Sequence, residues 1–455
     1  MSRIAARLLT AALKRGADAL LPARIAARIR TAAKARSAID SIAPVRIAAA
    51  LLMGLSAAAS AQNDVAIAPS SLGPLRVTTI VQGLQNPWSL AFLPDGRALV
   101  TERPGRLRLL DLGTRTLSAP VSGLPTVWAS GQGGLLDVVL DPDFAQNQRI
   151  YFSYAEVGGS GLAGTAVARA RLVDLALQDV QVIFRQDPKL SGGGHFGSRL
   201  VFDREGHLFV TLGENNVRIA AQYLDHHQGK VVRLWPDGSI PSDNPFVGDP
   251  EALVDIWSYG HRNPQGAALN PRTGVLWTVE HGAMGGDEVN IPQAGKNYGW
   301  PIITHGLDYN GQPIPESTGS SAPGMEQPLH YWVPSIAPSG MAFYTGLQMQ
   351  RWHGDLFVGG LAAQQLVRLD LEGDQIVGEE RLLSGFGYRI RDVRTGPDGA
   401  LYLLTDSSNG RVLKIEQGKN VWRPRTRSVG APAPGPTPSM PRTPRETPRA
   451  PARER

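Results

Sequence analysis

The chain has 455 residues, 42% of them apolar, with 51 Gly, 35 Pro and no Cys. This is ample for a substantial core, and the lack of cysteine excludes disulfides and thiolate metal sites, so any metal must be held by oxygen or imidazole. The net charge of +6 is unevenly placed: residues 1–61 carry +8 and residues 421–455 carry +6, leaving −8 for residues 62–420 and no electrostatic reason to expect nucleic-acid binding.

Residues 1–43 are an Arg/Ala-rich amphipathic stretch, either an extended leader or the product of an upstream start codon. From Pro44 the pattern changes. Arg46, an apolar run over 47–55, and small residues Ala59 and Ala61 ahead of Gln62 fit a secretory signal cleaved near Ala61. Export to the periplasm follows as the expectation, and the apolar run is too short for an integral membrane span. At the other end, residues 421–455 are rich in Pro and Arg and poor in apolar residues, which predicts a disordered tail.

Between them, over 62–420, the sequence repeats. Units begin at Ser89, Asp137, Arg199, Gly266, Gly340 and Asp392, separated by 48, 62, 67, 74 and 52 residues. Each has an alternating apolar run, a polar turn, often with Pro, Asp and Gly, and a second run, the pattern of a β-hairpin. A single hairpin cannot bury its faces. Six arranged radially can, and the spacing is near that of propeller blades with loop insertions. The expected fold is an all-β six-bladed β-propeller, with a pair of β-sandwiches as the alternative, and chemistry is expected where blade-connecting loops meet the central channel.

Residues just ahead of the units carry that chemistry. The stretch "SGGGHFGS" places His195 behind Gly192, Gly193 and Gly194, where the backbone can approach a ligand closely. "SYGHRNPQG" places Arg262 and Asn263 at the next entry, and "GYRIRDV" places Arg389 and Arg391, spaced to face one side of a strand. Guanidinium forks grip carboxylates bidentately, so the arginine pair suits a polycarboxylate ligand. Singly, each arginine reads as an ion pair between blades and the histidine as structural. Jointly, at three homologous entries, they favour an anionic organic ligand. "VEHGAMGGDEVNIPQAGKNYGWP" adds Asp287 and Glu288 within a flexible Gly-rich loop, oxygen donors suited to calcium but without the spacing of an EF-hand.

Over nearly all of residues 75–416 the chain resembles the soluble pyrroloquinoline quinone (PQQ)-dependent sugar dehydrogenases, most closely the periplasmic aldose sugar dehydrogenase branch. The resemblance rests on "GLQNPWSLAFLPDG", "GQGGLLDVVLDPDF", "GHFGSRLVFD", "LGENN", "QGKVVRL", "IWSYGHRNPQG", "EHGAMGGDEVNIPQAGKNYGWP", "SGMAFY" and "RIRDVRTGPDGALYLLTD", in that order. It implies a six-bladed propeller that oxidises aldoses to lactones with PQQ and calcium. His195 matches the general base that takes the proton of the anomeric hydroxyl. Arg262 matches the cation beside the quinone oxygen, and Asn263 another cofactor contact. Arg389 and Arg391 match the pair that holds cofactor carboxylates, while Gln132 and Glu214 correspond to polar residues lining the same pocket. An aspartate stands at the Glu214 position in the glucose dehydrogenase branch.

For the metal, the resemblance assigns the Gly282 and Ala283 carbonyls to the calcium that contacts PQQ, and Glu288 with the Tyr298 carbonyl to a second, structural calcium. Two departures stand out. Ala362 replaces a lysine that pairs with PQQ in several members, a lost ion pair that Gln364 compensates in part at most. His261 stands where an aliphatic residue is common. The expected partners are an aldose and an external electron acceptor, in a monomer or homodimer. The rival readings are a calcium-dependent propeller hydrolase such as a lactonase, which requires several inward carboxylates or amides around one ion, and a non-catalytic binding propeller, which has no need of a histidine opposite three arginines.

Overall fold

Each of the six repeated units forms one antiparallel sheet. In the computed structural model residues 65–418 are described; the expected leader and its cleavage point, and the whole of the expected tail, lie outside them. The first strands of the blades are Pro87–Phe92, Leu135–Leu140, Leu200–Phe202, Pro264–Leu269, Pro338–Phe343 and Ile390–Thr395, numbered here as blades 1 to 6. Consecutive first strands touch one another all the way round, from blade 1 to blade 6 and back, so they line the axis of a six-bladed propeller. The strand turns are sharp where the sequence provides Pro-Asp-Gly. At Pro94, Asp95 and Gly96 the glycine takes φ 86°, and Asp95 Oδ1 accepts the Arg97 N–H at 3.0 Å.

Blades 1 to 5 have four strands each. Blade 6 has five, and it closes the ring: Leu75–Leu84 pairs antiparallel with Gly410–Gln417, in a register running from Leu75 opposite Gln417 to Leu84 opposite Gly410. Val65–Ala68 then adds at the outer edge. The two ends of the propeller are thus held by main-chain hydrogen bonds between segments more than three hundred residues apart in sequence.

The core lies in the seams. Leu99, Leu109, Val138 and Phe152 pack between blades 1 and 2; Tyr151, Val167, Val210 and Val232 between 2 and 3; Phe209, Val231 and Leu276 between 3 and 4. Trp277, Val289, Val358 and Leu369 fill the seam of blades 4 and 5, Phe357, Leu366, Leu403 and Ile415 that of 5 and 6, and Leu90, Val100, Tyr402 and Leu404 that of 6 and 1. Each such side chain contributes about 1.5–3 kcal/mol when fully buried. Alternate residues of one strand therefore serve two seams, as Tyr151 and Phe152 do, which explains why strands near the axis read as almost continuously apolar.

The axis itself is polar. Arg199 of blade 3 is buried and meets Asp137 of blade 2 at 3.2 Å and Asp392 of blade 6 at 3.0 Å, while its Nε donates to Gln265 O of blade 4 at 2.6 Å. Arg394 pairs with the same two aspartates at 3.1 and 2.9 Å. Removing one partner from a buried pair costs about 3–5 kcal/mol because the remaining charges are left without compensation. Arg199→Leu is accordingly expected to lower unfolding stability in urea by about that amount; a loss below about 1 kcal/mol would show that the hub is dispensable.

Candidate active site

The antiparallel register puts the start of each first strand beside the end of its second strand, as in Pro264 opposite Glu280 and Ile390 opposite Thr405. Residues entering the first strands and residues leaving the second strands consequently share one face of the propeller. All of the sequence-predicted site residues lie on loops or strand ends of this face.

His195 enters blade 3 with φ 50°, a left-handed conformation uncommon for a side chain of this size. Its main chain is pinned on both sides: its N–H donates to Gln132 Oε1 at 2.9 Å, and its carbonyl accepts from Asn215 Nδ2 at 3.0 Å. Its Nδ1 lies 2.5 Å from Glu214 Oε2, and Glu214 is almost fully buried. A carboxylate only accepts, so Nδ1 carries a proton, and in the neutral imidazole the lone pair is at Nε2. Asn263 Oδ1 accepts the Gly197 N–H at 3.1 Å, and Glu214 N–H donates to Arg262 O at 3.0 Å. Gln132, His195, Glu214, Arg262 and Asn263, drawn from the entries of three blades, form one hydrogen-bonded group.

Arg262 is held from behind. Its N–H donates to Glu280 Oε2 at 2.6 Å, its Nη1 reaches His281 O at 3.3 Å and its Nη2 the Tyr309 hydroxyl at 3.4 Å, with its guanidinium 5.2 Å from the centre of the Trp300 ring. Arg391 donates to Gln265 Oε1 at 2.7 Å and pairs with Asp406 at 3.1 Å. Arg389 reaches Leu361 O at 3.2 Å and Asp406 at 3.5 Å. The expectation that both arginines project from one strand face needs adjustment: the strand begins at Ile390 and its register shifts between Ile390 and Asp392. Arg391 is buried and Arg389 is largely exposed, yet they converge on the same carboxylate. Burial works against the Asp406 charge, but Arg391 and the Asn86 amide outweigh it and hold its pKa at about 2.

His281 ties the two halves together, and sequence reasoning passed over it. Its carbonyl accepts from Arg262 Nη1 at 3.3 Å, and burial, then the positive charge of Arg262 and its basic neighbours, holds its imidazole well below the ordinary pKa, so the ring stays neutral. The Nε of Arg262, the Nε of Arg391, the Nε2 of His281 and the Nε1 of Trp300 are buried without a hydrogen-bond partner. Orphaned buried polar atoms are rare in native proteins. Four of them around one site, three on basic side chains, fit a planar anionic ligand such as PQQ.

A second pocket lies behind Arg262. Glu280 and Glu288 stand opposite each other across a strand pair, bridged by Asn290 Nδ2 at 3.1 and 3.0 Å. Burial, and then the neighbouring Glu280, push Glu288 up to about 8. Gly282, Glu288 and Tyr298 line one small cavity with Glu280, of about 10 Å³, room for a single water-sized sphere. A methyl at Gly282 would sit 2.1 Å from the Gly285 carbonyl oxygen, so the backbone is crowded with carbonyls at this point. Two buried carboxylates among carbonyl oxygens are the donor set of a hard dication. Ala283 is buried against Ala221, Trp300 and Ile314 instead of lining this cavity.

His261, unexplained in the sequence, has a place here. Its Nδ1 is 2.9 Å from Glu280 Oε1 and its Nε2 is 2.9 Å from Ser258 Oγ, with the ring stacked on Tyr298 at 4.7 Å. It fixes Glu280, which in turn fixes the Arg262 main chain.

The model of the glucose/sorbosone dehydrogenase family matches residues 84–414. The chain belongs to this family. Among glucose/sorbosone dehydrogenase relatives, aldose sugar dehydrogenase YliI of Escherichia coli (strain K12) is 54% identical over 344 residues, spanning 75% of this chain and 92% of that one. A glucose dehydrogenase crystal structure superposes with a TM-score of 0.74 at 56% identity, over 75% of this chain and 99% of its own. The PQQ-bound form of an aldose sugar dehydrogenase from Streptomyces coelicolor superposes with a TM-score of 0.62 at 28% identity, over 75% and 98%. The resemblance drawn from the motifs is thus borne out, as is the six-bladed fold.

Glu280 accepts from three buried donors, Arg262 N–H, His261 Nδ1 and Asn290 Nδ2, and leaving buried donors unpaired costs about 1–3 kcal/mol each. Glu280→Ala is expected to lose at least that much stability in chemical denaturation of the calcium-free protein, and His261→Phe, which preserves the stack on Tyr298, is expected to lose less.

Proposed function

We propose that this chain is a PQQ-dependent aldose dehydrogenase that oxidises the anomeric carbon of aldose sugars to the lactone. The observation that supports the reading best is the His195–Glu214 dyad, joined through the Glu214 N–H to Arg262 and accompanied by unpaired buried nitrogens on Arg262 and Arg391, in a family member related to an enzyme solved with PQQ. When bound, PQQ supplies a two-electron acceptor and calcium supplies Lewis acidity.

His195 takes the proton of the anomeric hydroxyl at Nε2. Glu214 holds the opposite nitrogen, setting the tautomer and stabilising the imidazolium that forms, the role a carboxylate plays behind any histidine base. The main-chain clamp from Gln132 and Asn215 fixes the ring in position, so little ordering remains to be done when the sugar arrives. Arg262, steadied by Glu280 and Trp300, presents a fixed positive charge where negative charge develops on the acceptor. Arg389 and Arg391 hold ligand carboxylates, Gln132 and Asn263 shape the pocket, and Asp406 keeps the arginine pair oriented. The Gly282 and Ala283 carbonyls would hold the calcium that supplies Lewis acidity, and Glu288 with the Tyr298 carbonyl would hold a structural calcium. Among the described residues no helix is long and apolar enough to cross a membrane, and the leader reading makes the enzyme an exported, periplasmic one that passes electrons to an external acceptor.

Three results test this. Purified protein supplied with PQQ and calcium should bleach a redox dye only when an aldose is present. In His195→Asn, kcat should fall by about 10²–10⁴ while PQQ is still bound; an unchanged kcat would remove the histidine from the chemistry, and lactone cleavage without PQQ would favour the hydrolase reading. Calcium should raise the unfolding free energy of the PQQ-free protein by about 2.7 kcal/mol at a hundred times its Kd, and Glu288→Ala should abolish most of that gain.

A further inference from the structure

Arg103 leaves the second strand of blade 1, Arg97–Glu102, on the face that carries the site. Its N–H donates to Asn86 O at 3.1 Å, and Asn86 Nδ2 donates to Asp406 Oδ1 at 3.1 Å, the carboxylate that already holds Arg389 and Arg391 through its other oxygen. The stem of Arg103 is aimed along the neighbouring entry. Gly134, at the mouth of blade 2, has φ 152°, and a Cβ there would lie 2.4 Å from Arg103 Cγ and 2.1 Å from Arg103 O. Leu135 N–H holds the same carbonyl at 3.1 Å. Only a glycine admits this side chain, which runs past the loop that carries Gln132.

The guanidinium itself is uncommitted. Among the described residues it has no carboxylate within 4.0 Å, whereas Arg106 and Arg108 of the next strand both pair with Glu102. Its charge nevertheless reaches Asp406 and Arg391. A half-buried arginine, tied by its backbone to Asn86 and through it to the carboxylate that Arg389 and Arg391 share, given passage by a glycine and, among the described residues, without an ion-pair partner within 4.0 Å, is a site for an anion.

We infer that Arg103 binds a carboxylate of the cofactor, completing with Arg389 and Arg391 a rim of three cations drawn from two blades, 1 and 6. The inference rests on the PQQ reading and assigns the chemistry of one edge of that site. PQQ carries three carboxylates. Arg389 and Arg391 share their charge with Asp406, so without Arg103 this edge offers a net charge of +1 to a tricarboxylate, and with it +2. Ala362 provides no cation at the neighbouring blade 5 loop. Arg103 places the charge on blade 1 instead.

The test is an equilibrium titration of the cofactor-free protein with PQQ, followed by quenching of tryptophan fluorescence, for the wild type, Arg103→Met and Arg103→Lys at low and high salt. Methionine keeps the stem packed on Gly134 while removing the charge. Arg103→Met is expected to weaken PQQ binding at least tenfold and to reduce its salt sensitivity, Arg103→Lys to recover part of the affinity, and the unfolding midpoint of the cofactor-free protein to stay unchanged in both. Arg103→Met binding within twofold of the wild type, with the same salt sensitivity, would overturn the inference. Equal weakening in both variants would also overturn it, since that outcome reports on shape and not on charge. A wild type that does not bind PQQ at all would sink the cofactor reading itself, a result distinct from either.

Discussion

A single buried guanidinium holds the frame together. Arg199 has almost no contact with solvent, so its charge must be neutralised by protein, and the acceptors that do so come from blades 2, 4 and 6, with the Trp88 ring of blade 1 lying 4.1 Å from it. Hydrophobic seams are non-directional and tolerate small rotations of one blade against another. A buried ion-pair hub is not tolerant in this way, because each of its charges is costly once displaced from its partner. The hub lies directly against the site: Arg199 Nη2 approaches Arg391 O at 3.4 Å, and Gln265, whose carbonyl receives Arg199 Nε, receives Arg391 Nη1 on its side chain. The distance between blade entries, and with it the spacing of His195, Arg262 and Arg391, is set there.

On this frame the site is a basic island in an acidic body. Residues 62–420 carry a net −8, yet the face where the entries meet gathers Arg103, Arg262, Arg389 and Arg391 with Asp406 as the carboxylate shared by the last two. Burial makes such a concentration expensive without an anionic occupant, and the unpaired nitrogens of Arg262 and Arg391 mark where the occupant belongs. His281 stays neutral among these charges and therefore adds nothing to the repulsion. Behind them lies a compact pocket of two carboxyl groups, Glu280 and Glu288, whose burial and mutual repulsion push Glu288 up to about 8 and which a cation would relieve.

Much of this was legible in the text of the chain. The six units begin within or one residue before the strands that line the axis, because those strands are largely buried and leave apolar runs. His195, Arg262, Asn263 and Arg391 are legible because each stands at or just before the start of such a run. The ring closure left no such mark: Leu75–Leu84 pairs with Gly410–Gln417 through main-chain groups, which have no sequence code. Nor did Asp406, Glu280 and His281 stand out, since they follow second strands, and a residue after a strand looks like any loop residue until the register brings it beside a blade entry. Arg103 belongs to the same class. Outer strands such as Gln375–Leu382, with alternate residues exposed, carry a weak signal because half of each strand faces solvent.

The central claim is spatial: side chains from blade entries far apart in sequence surround one ligand at one end of the axis. A crystal structure of the protein grown with PQQ and calcium tests it most directly. The account predicts a single tricyclic density on this face, its carboxylates toward Arg389 and Arg391, its quinone edge beside Arg262, and His195 Nε2 facing open space above it. Density on any other face, or none at saturating PQQ, would contradict it.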